Sequence, residues 1–179
     1  MNPLWIREAQ VDDAAAIAGI HISAWQAAYA HVLPAAYLER LGQQLAAREA
    51  RWRQALAAEQ LVLVAQHGPQ VVGWIAAGPS RDADAHALVG EVEAIYLAPT
   101  HWRCGIGTPL MRAALAKLLR RGYTETTLWV LEGNTRAAAF YQHLGFSHQP
   151  QHDRCLAIAG QALTEQRLWR TNKSPLPAR

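Results

Sequence analysis

Two glycines separated by one residue, Gly105 and Gly107, follow an apolar segment and precede a long amphipathic one. Glycines in such a place let backbone N–H groups turn toward one centre without obstruction by a Cβ atom. A helix that starts there adds the positive potential of its N-terminus. The pattern therefore predicts a loop that binds a phosphate-containing ligand.

Two familiar nucleotide-binding loops match this segment poorly. A Rossmann fingerprint would need a third glycine where Leu110 stands, and it normally follows the first strand of a parallel βαβ unit. A P-loop would continue as Gly-Lys-Ser/Thr, and Gly107 is followed by Thr108. Oxidoreductase and NTPase functions are therefore disfavoured.

The segments around the loop predict an α/β fold with a mixed sheet. Glu91–Leu97 and Glu125–Leu131 are predicted strands, and a helix that starts at Thr108 and ends at Gly122 connects them. Strand, helix and strand in this order form a right-handed crossover between parallel strands. The other predicted strands have hairpin-length connections, so we expect a mostly antiparallel sheet with one central parallel pair and helices on both faces.

The remaining segments complete a single predicted domain over residues 1–170. Helices are expected at about Asp13–Ala30, from Pro34 to about Ala58 with a break at Gly42, and at Thr135–Leu144. A hairpin is expected from Leu61–Ala65 and Val71–Ala77, and a closing strand pair from Ser147–Gln151 and Leu163–Arg170. Residues 171–179 are predicted to be a disordered tail.

The composition is typical of one compact intracellular domain. The chain has 179 residues, 51% of them hydrophobic, and a net charge of +3, which suffices for an anionic small ligand and does not indicate a nucleic-acid partner. Its two cysteines form no disulfide framework or metal motif, so a cytoplasmic location and no metal are expected. The sequence predicts no secretory signal and no membrane-spanning segment.

Two motifs together resemble the GNAT-type N-acetyltransferase superfamily. Its phosphate loop is commonly Gln/Arg-x-x-Gly-x-Gly/Ala, and Trp102–Gly107 matches this pattern at both glycines, with Trp102 in place of Gln or Arg. The second signature places an asparagine and an alanine ahead of a tyrosine and a Gly-Phe pair. It is met by Asn134, Ala137, Tyr141, Gly145 and Phe146. The resemblance covers most of the chain and is weaker after Gln149.

The resemblance implies an acyl-coenzyme A site with acetyl-CoA as cosubstrate. Ile95 and Leu97 would offer backbone groups to the pantetheine arm, and the Leu97 N–H would polarise the thioester carbonyl. Asn134 would hydrogen-bond the pantetheine, and Ala137 and Tyr141 belong to the same cofactor-binding signature. The pyrophosphate would be wrapped by Arg103, Cys104, Gly105, Ile106, Gly107 and Thr108.

The implied reaction transfers an acetyl group, or a similar short acyl group, to a primary amine by direct attack in a ternary complex. The amine must be neutral, and the departing thiolate needs a proton. Glu91 is the candidate base, directly or through water, with Glu93 on the same face of the strand as the other possibility. Tyr141 is the candidate acid, since tyrosine hydroxyls are ordinarily protonated at pH 7. Each of the three side chains could instead be structural.

The amine acceptor, a small molecule or a peptide, is expected near the first two helices and residues 80–86. Trp25 and Tyr29 could line its pocket or pack in the core, and Glu93 could also contact it. Asp82 and Asp84 could attract a cationic amine or lie in a solvated loop. A monomer and a homodimer are both compatible with the sequence. A CoA-binding module without turnover is the alternative function.

Overall fold

The structure, a computed structural model, describes residues 3–172. Its helices are α1 (Ala14–Tyr29), α2 (Ala35–Gln43), α3 (Leu45–Ala57), α4 (Gly107–Arg120) and α5 (Thr135–His143). Its strands are β1 (Leu4–Glu8), β2 (Leu61–His67), β3 (Gln70–Pro79), β4 (Val89–Leu97), β5 (Glu125–Leu131), β6 (Ser147–His148), β7 (Arg154–Ile158) and β8 (Gln161–Thr171). None of these described helices is long and apolar enough to cross a membrane.

Within the described residues the strands form one eight-stranded sheet, in the order β1-β2-β3-β4-β5-β8-β6, with β7 paired to β8. β4 and β5 are parallel, and α4 connects them. β1 with β2, and β8 with each of β5, β6 and β7, are antiparallel. The predicted mixed sheet with one central parallel pair is confirmed.

The chain divides into two compact units, and the first comprises residues 3–76 and 94–113. Its core forms where the apolar stripe of α1, with Ile17 and Ile20, meets Val62 and Val64 of β2 and Trp74 of β3. These side chains are between 0 and 7% exposed. Helical apolar spacing on α1 and near-continuous apolar strands explain why these elements pack together.

The second unit comprises residues 77–93 and 114–172. Its parallel ladder pairs Val89–Val92 with Glu125–Leu128, and the long antiparallel ladder of β5 and β8 runs from Glu125 opposite Thr171 to Leu131 opposite Glu165. A Cβ atom at Gly90 would lie 3.1 Å from Cδ2 of Leu118 on α4, so a glycine allows this close packing.

The region after Pro150 differs from the sequence-based prediction. The strand expected at Ser147–Gln151 is only two residues long, and β7, which was not predicted, forms a hairpin with β8. Ala159 and Gly160 between them have φ values of 52° and 77°, which is the conformation of a tight two-residue hairpin turn. Alanine is rare in that conformation, so the turn is not marked by the usual Asn-Gly or Asp-Gly pair.

The last strand extends one residue beyond Arg170, where the sequence predicted its end. Thr171 belongs to β8, and Asn172 is buried and donates from Nδ2 to the carbonyl oxygen of Tyr123 at 2.9 Å. This hydrogen bond, together with the pairing to β5, holds the end of the strand in place. The rest of the predicted disordered tail, residues 173–179, lies outside the described residues.

Candidate functional site

The loop between β4 and α4 contains the two glycines in a strongly turned backbone. Arg103 and Gly105 adopt φ values of 62° and 76°, in the left-handed region that turns successive N–H groups toward one side. A Cβ atom at Gly105 would meet nothing within 4 Å, so the space in front of the loop is open. Gly107 is the first residue of α4. Turned backbone and a helix N-terminus therefore lie together in this segment, an arrangement that suits a pyrophosphate.

The other residues of this loop differ in exposure. Ile106 is buried, with 5% of its surface exposed, and anchors the loop to the interior of the first unit. Cys104 is an exposed free thiol. Thr108 lies half-buried in the first turn of α4. These positions are consistent with a loop that would bind a phosphate group through its backbone rather than through one dominant side chain.

Trp102 fixes the end of β4. Its indole Nε1 donates to the carbonyl oxygen of Leu97 at 2.9 Å, and the Ala98 N–H donates to the Val72 carbonyl, also at 2.9 Å. The peptide unit between Leu97 and Ala98 is therefore held from both sides. Because neighbouring N–H groups along an antiparallel strand point to opposite edges, the Leu97 N–H faces away from β3. This is the edge at which Ile95 and Leu97 would receive a pantetheine arm.

Leu97 also explains a glycine in β3. A Cβ atom on Gly73 would lie 2.2 Å from Cδ2 of Leu97, a distance that no packed structure tolerates. The glycine therefore lets the Leu97 side chain lie directly over β3. Trp102 thus holds the Leu97 carbonyl, and Gly73 leaves room for the side chain of this residue, which is predicted to contact the thioester.

The two aromatic acceptor candidates have different environments. Tyr29 is buried, and its ring packs edge-on against Trp25 at 5.0 Å, so it belongs to the core. Trp25 is half-buried and donates from Nε1 to the hydroxyl oxygen of Tyr96 at 2.8 Å. Tyr96 in turn stacks on His21 at 4.7 Å. Of the two predicted residues, Trp25 remains the candidate to contact an acceptor.

Glu91 is a buried carboxylate held by an exposed arginine. Its side chain is 3% exposed, and it accepts from the Arg81 backbone N–H at 3.0 Å and from Arg81 Nε at 3.1 Å, with a further hydrogen bond from Nη2. These hydrogen bonds raise the pKa of the Arg81 guanidinium. Both carboxylate oxygens of Glu91 are thus already accepting hydrogen bonds. Sequence reasoning missed Arg81, because the contact depends on how residues 80–88 fold back.

Glu93 has a more open environment on the same strand. Its side chain is 21% exposed, and its Oε2 lies 3.9 Å from Nη1 of Arg81. A Cβ atom at Gly78 would lie 3.0 Å from its Oε1, so this glycine leaves room for the carboxylate. The two carboxylates lie on one face of β4, as the two-residue spacing predicts.

The acidic residues of the 80–88 segment are engaged in ion pairs. Arg167 of β8, 7% exposed, donates to Asp84 Oδ1 at 2.7 Å and lies 3.5 Å from Asp82 Oδ2. Asp82 Oδ1 accepts from the indole of Trp129 at 2.9 Å. The Arg167 hydrogen bond lowers the pKa of Asp84. Both aspartates therefore serve to anchor the segment, which disfavours a role in attracting a cationic amine.

The residues of the second signature cluster at α5. Asn134 Oδ1 accepts from the Ala137 N–H at 3.2 Å and caps the helix. Tyr141 is 8% exposed, and its ring packs edge-on against Phe146 at 6.1 Å. Gly145 at φ 84° allows the turn that closes the helix. The residues of the motif therefore cap, pack and close α5 within the second unit. Their contact with a cofactor stays a prediction.

The structure brings the predicted residues together in three groups. Ile95, Leu97 and the loop from Arg103 to Thr108 are continuous in the first unit. In the second unit, Glu91 and Glu93 share Arg81, while Asn134 caps α5, the helix that contains Ala137 and Tyr141. Within residues 3–172 the structure contains no group of three or more His, Cys, Asp or Glu side chains that could hold a metal ion.

Comparison with known proteins identifies the family. The model of the acetyltransferase (GNAT) family matches residues 22–146. The chain is 30% identical over 160 residues to the uncharacterized N-acetyltransferase YuaI of Bacillus subtilis, which covers 89% of this chain and 88% of that protein. The chain therefore belongs to the GNAT family and is an acyl-CoA-dependent N-acetyltransferase.

Solved structures show the same fold. PaiA N-acetyltransferase from Thermoplasma acidophilum, in complex with coenzyme A, matches with a TM-score of 0.71 and 19% identity over 92% of this chain and 98% of that chain. YncA from Salmonella typhimurium, solved with its cofactor acetyl-CoA, matches with a TM-score of 0.70 and 19% identity over 97% of this chain and 96% of that chain. At these identities the likeness concerns the fold.

Proposed function

We propose that the chain transfers an acetyl group from acetyl-CoA to a primary amine by direct attack in a ternary complex. The observation that carries this proposal is the turned loop from Arg103 to Gly107, whose backbone donors and helix N-terminus suit a pyrophosphate. Two neighbours by fold were solved with coenzyme A or acetyl-CoA, which supports the choice of cosubstrate.

The pantetheine arm is proposed to lie along the edge of β4 that Ile95 and Leu97 offer. Extended ligands commonly add to such an edge through main-chain hydrogen bonds. The Leu97 N–H, positioned by Trp102 and Gly73, would then donate to the thioester oxygen and stabilise the negative charge that develops there. The roles of Asn134 and Ala137 toward the same arm follow from the family resemblance.

In the transfer step, the lone pair of the neutral amine attacks the thioester carbonyl carbon. The C–S bond then breaks, and the CoA thiolate takes a proton. We assign the hydroxyl of Tyr141 as the donor of this proton. A carboxylate of β4 accepts the proton that the amine loses, directly or through water. The acetylated amine and free coenzyme A are the products.

We assign the base to Glu93 in preference to Glu91. The oxygens of Glu91 already accept three hydrogen bonds from Arg81, which occupy most of the lone-pair sites at which Glu91 would take a proton. Glu93 is more exposed and lies at a longer distance from the same guanidinium. Glu91 would thus hold the Arg81 guanidinium in place, and Arg81 would in turn position Glu93.

A thiol-release assay tests the proposal. Purified protein is mixed with acetyl-CoA and a panel of amino acids, polyamines, peptides and simple amines, and free coenzyme A is measured over time. We expect amine-dependent thiol release and an acetylated product of the matching mass. Acetyl-CoA binding without thiol release for any acceptor would instead support a CoA-binding module, and absence of binding would refute the loop assignment.

A further inference from the structure

Three aromatic rings pack against the imidazole of His21 in the first unit. Tyr96 stacks on it at 4.7 Å, and Trp74 and Trp25 lie at 5.8 and 6.0 Å. Trp74 is fully buried, whereas His21, Trp25 and Tyr96 are each half-buried, so the cluster reaches the surface. Tyr96 directly precedes Leu97, and the cluster therefore adjoins the strand segment proposed to hold the thioester.

Arg48 of α3 brings a cation to this cluster without a counter-ion. Its Nη1 lies 3.5 Å from Nδ1 of His21, and its Nη2 donates to Oε1 of Gln44 at 3.2 Å. Its Nε is buried and has no hydrogen-bond partner. Within residues 3–172, Arg48 forms no ion pair with an acidic side chain. A half-buried guanidinium without an acidic partner among residues 3–172 carries an unbalanced charge, and an anionic ligand beside it would balance that charge.

His21, the imidazole beside Arg48, is neutral at pH 7. Burial, and then the charge of Arg48, lower the pKa of His21 to about 4. An arginine has no acceptor, so in its contact with Arg48 the Nδ1 atom accepts, and Nε2 carries the proton. The pair therefore presents one positive charge and N–H donors from two side chains, next to apolar ring surfaces.

Arg53, on the same helix, shows the usual arrangement of a surface arginine. Its Nη2 lies 3.0 Å from Glu49 Oε1, and its Nη1 lies 3.9 Å from Asp12 Oδ1. Its charge is therefore balanced within the protein. The contrast between these two arginines, five residues apart on α3, singles out Arg48.

We propose that Arg48 and His21 bind the carboxylate of the acceptor, so that the acceptor class is an amine that also carries a free carboxylate, such as an amino acid. This inference rests on the proposed acetyltransferase function. A guanidinium matches a planar carboxylate with paired N–H donors. The rings of Trp25 and Tyr96 would pack against the carbon skeleton of such an acceptor.

The experiment compares each amino acid that is turned over with its carboxamide, which keeps the amine and loses the charge. The measured quantity is the ratio of kcat/KM for the acid to kcat/KM for the amide, in the wild type, Arg48→Gln and Arg53→Gln. We expect Arg48→Gln to lower this ratio by about 10- to 100-fold, the value of hydrogen bonds to a charged group. Arg53→Gln should leave the ratio unchanged, and Arg48→Lys should restore it in part.

Each other outcome overturns the inference. If amides are turned over and the ratio is the same in Arg48→Gln, the acetyltransferase function stands and the carboxylate site is wrong. If Arg48→Gln instead raises KM for acetyl-CoA with an unchanged ratio, the anion belongs to the cosubstrate. If no acceptor releases thiol although acetyl-CoA binds, the proposed function itself fails. Thermal unfolding of both variants checks that the fold is retained.

Discussion

At the scale of single residues, Trp102 shows how a departure from a family pattern is accommodated. The pattern expects Gln or Arg there, and this chain uses the indole N–H to hold the carbonyl of Leu97. Position 102 therefore keeps a hydrogen-bond donor, but the indole N–H donates to the protein backbone and not to a ligand. Arg103 is the cationic side chain between Trp102 and Thr108, so it is the residue of this loop that can supply a positive charge.

The proposed acid can be tested at Tyr141. Replacement of Tyr141 by Phe keeps the ring and its packing on Phe146, and removes only the hydroxyl. We expect kcat to fall by about 100-fold, a typical value for general acid catalysis, with the Kd for acetyl-CoA within a few fold of the wild type. Thiol-release assays give kcat, and calorimetry gives the Kd for acetyl-CoA. Unchanged kcat would exclude Tyr141 as the acid.

The assignment of the base can be tested with two matched variants on β4. Glu93→Gln should lower kcat/KM strongly at neutral pH, because the amide cannot accept the proton that the amine loses. Glu91→Gln can still accept from Arg81, so we expect a smaller effect on kcat/KM and a loss of stability. If Glu91→Gln lowers kcat/KM strongly and Glu93→Gln does not, while thermal unfolding shows both variants folded, the base is Glu91.

At the scale of elements, the sequence predicted those segments whose pattern is local. β5 was predicted with its observed bounds, Glu125–Leu131, and α4, α5 and the β2–β3 hairpin within a few residues. Alternating or helical apolar periodicity and glycine ends suffice for such segments. β7 was missed, because its residues are largely exposed and its turn contains Ala159 in a conformation that alanine rarely adopts.

The candidate site was predictable to a smaller extent. The Gly105-Ile106-Gly107 loop and the Asn134 motif could be found from spacing alone. The contacts of Arg81 with Glu91, of Arg48 with His21 and of Arg167 with Asp84 join residues that are 10 to 83 positions apart. Such pairs depend on how the elements fold together, and a single sequence carries no periodic signal for them.

The loop element can be tested by a pair of glycine variants. Gly105 and Gly122 both have positive φ, and a Cβ atom at either would meet nothing within 4 Å, so valine should cost similar backbone strain at both. We expect only Gly105→Val to weaken acetyl-CoA binding, by more than about 10-fold, because only that side chain would project into a ligand-binding loop. Calorimetry gives the Kd, and thermal unfolding measures the strain. Equal affinities would contradict the placement of the phosphates.

At the scale of the whole molecule, acid should destabilise the fold through His21. Its pKa is lowered from 6.5 to about 4 in the folded chain, so the unfolded chain binds a proton more readily between these values. The contribution of His21 to the free energy of unfolding is therefore fully present above pH 6.5, and it is lost as the pH decreases toward 4. By pH 4.5 the loss should be roughly 2–3 kcal/mol from this residue.

Urea unfolding at pH 7.5 and pH 4.5 measures this contribution. The wild type should lose more free energy of unfolding between the two pH values than His21→Gln, which cannot titrate. Asp13, whose pKa is lowered because hydrogen bonds from Arg7 and Gln10 outweigh its burial, should contribute below pH 4, so it affects this comparison little. Equal pH dependence in both proteins would show that His21 is protonated as readily in the folded chain as in the unfolded one.

The contact between Arg81 and Glu91 joins an exposed side chain to a buried one, and this asymmetry has an evolutionary consequence. Loss of the arginine leaves a carboxylate stranded in the interior, whereas loss of both charges leaves two neutral side chains. Substitutions at these two positions should therefore be inherited together. Homologues that have exchanged the glutamate for an apolar residue should also have released position 81 from arginine, and with it the constraint on the length of the connection between β3 and β4.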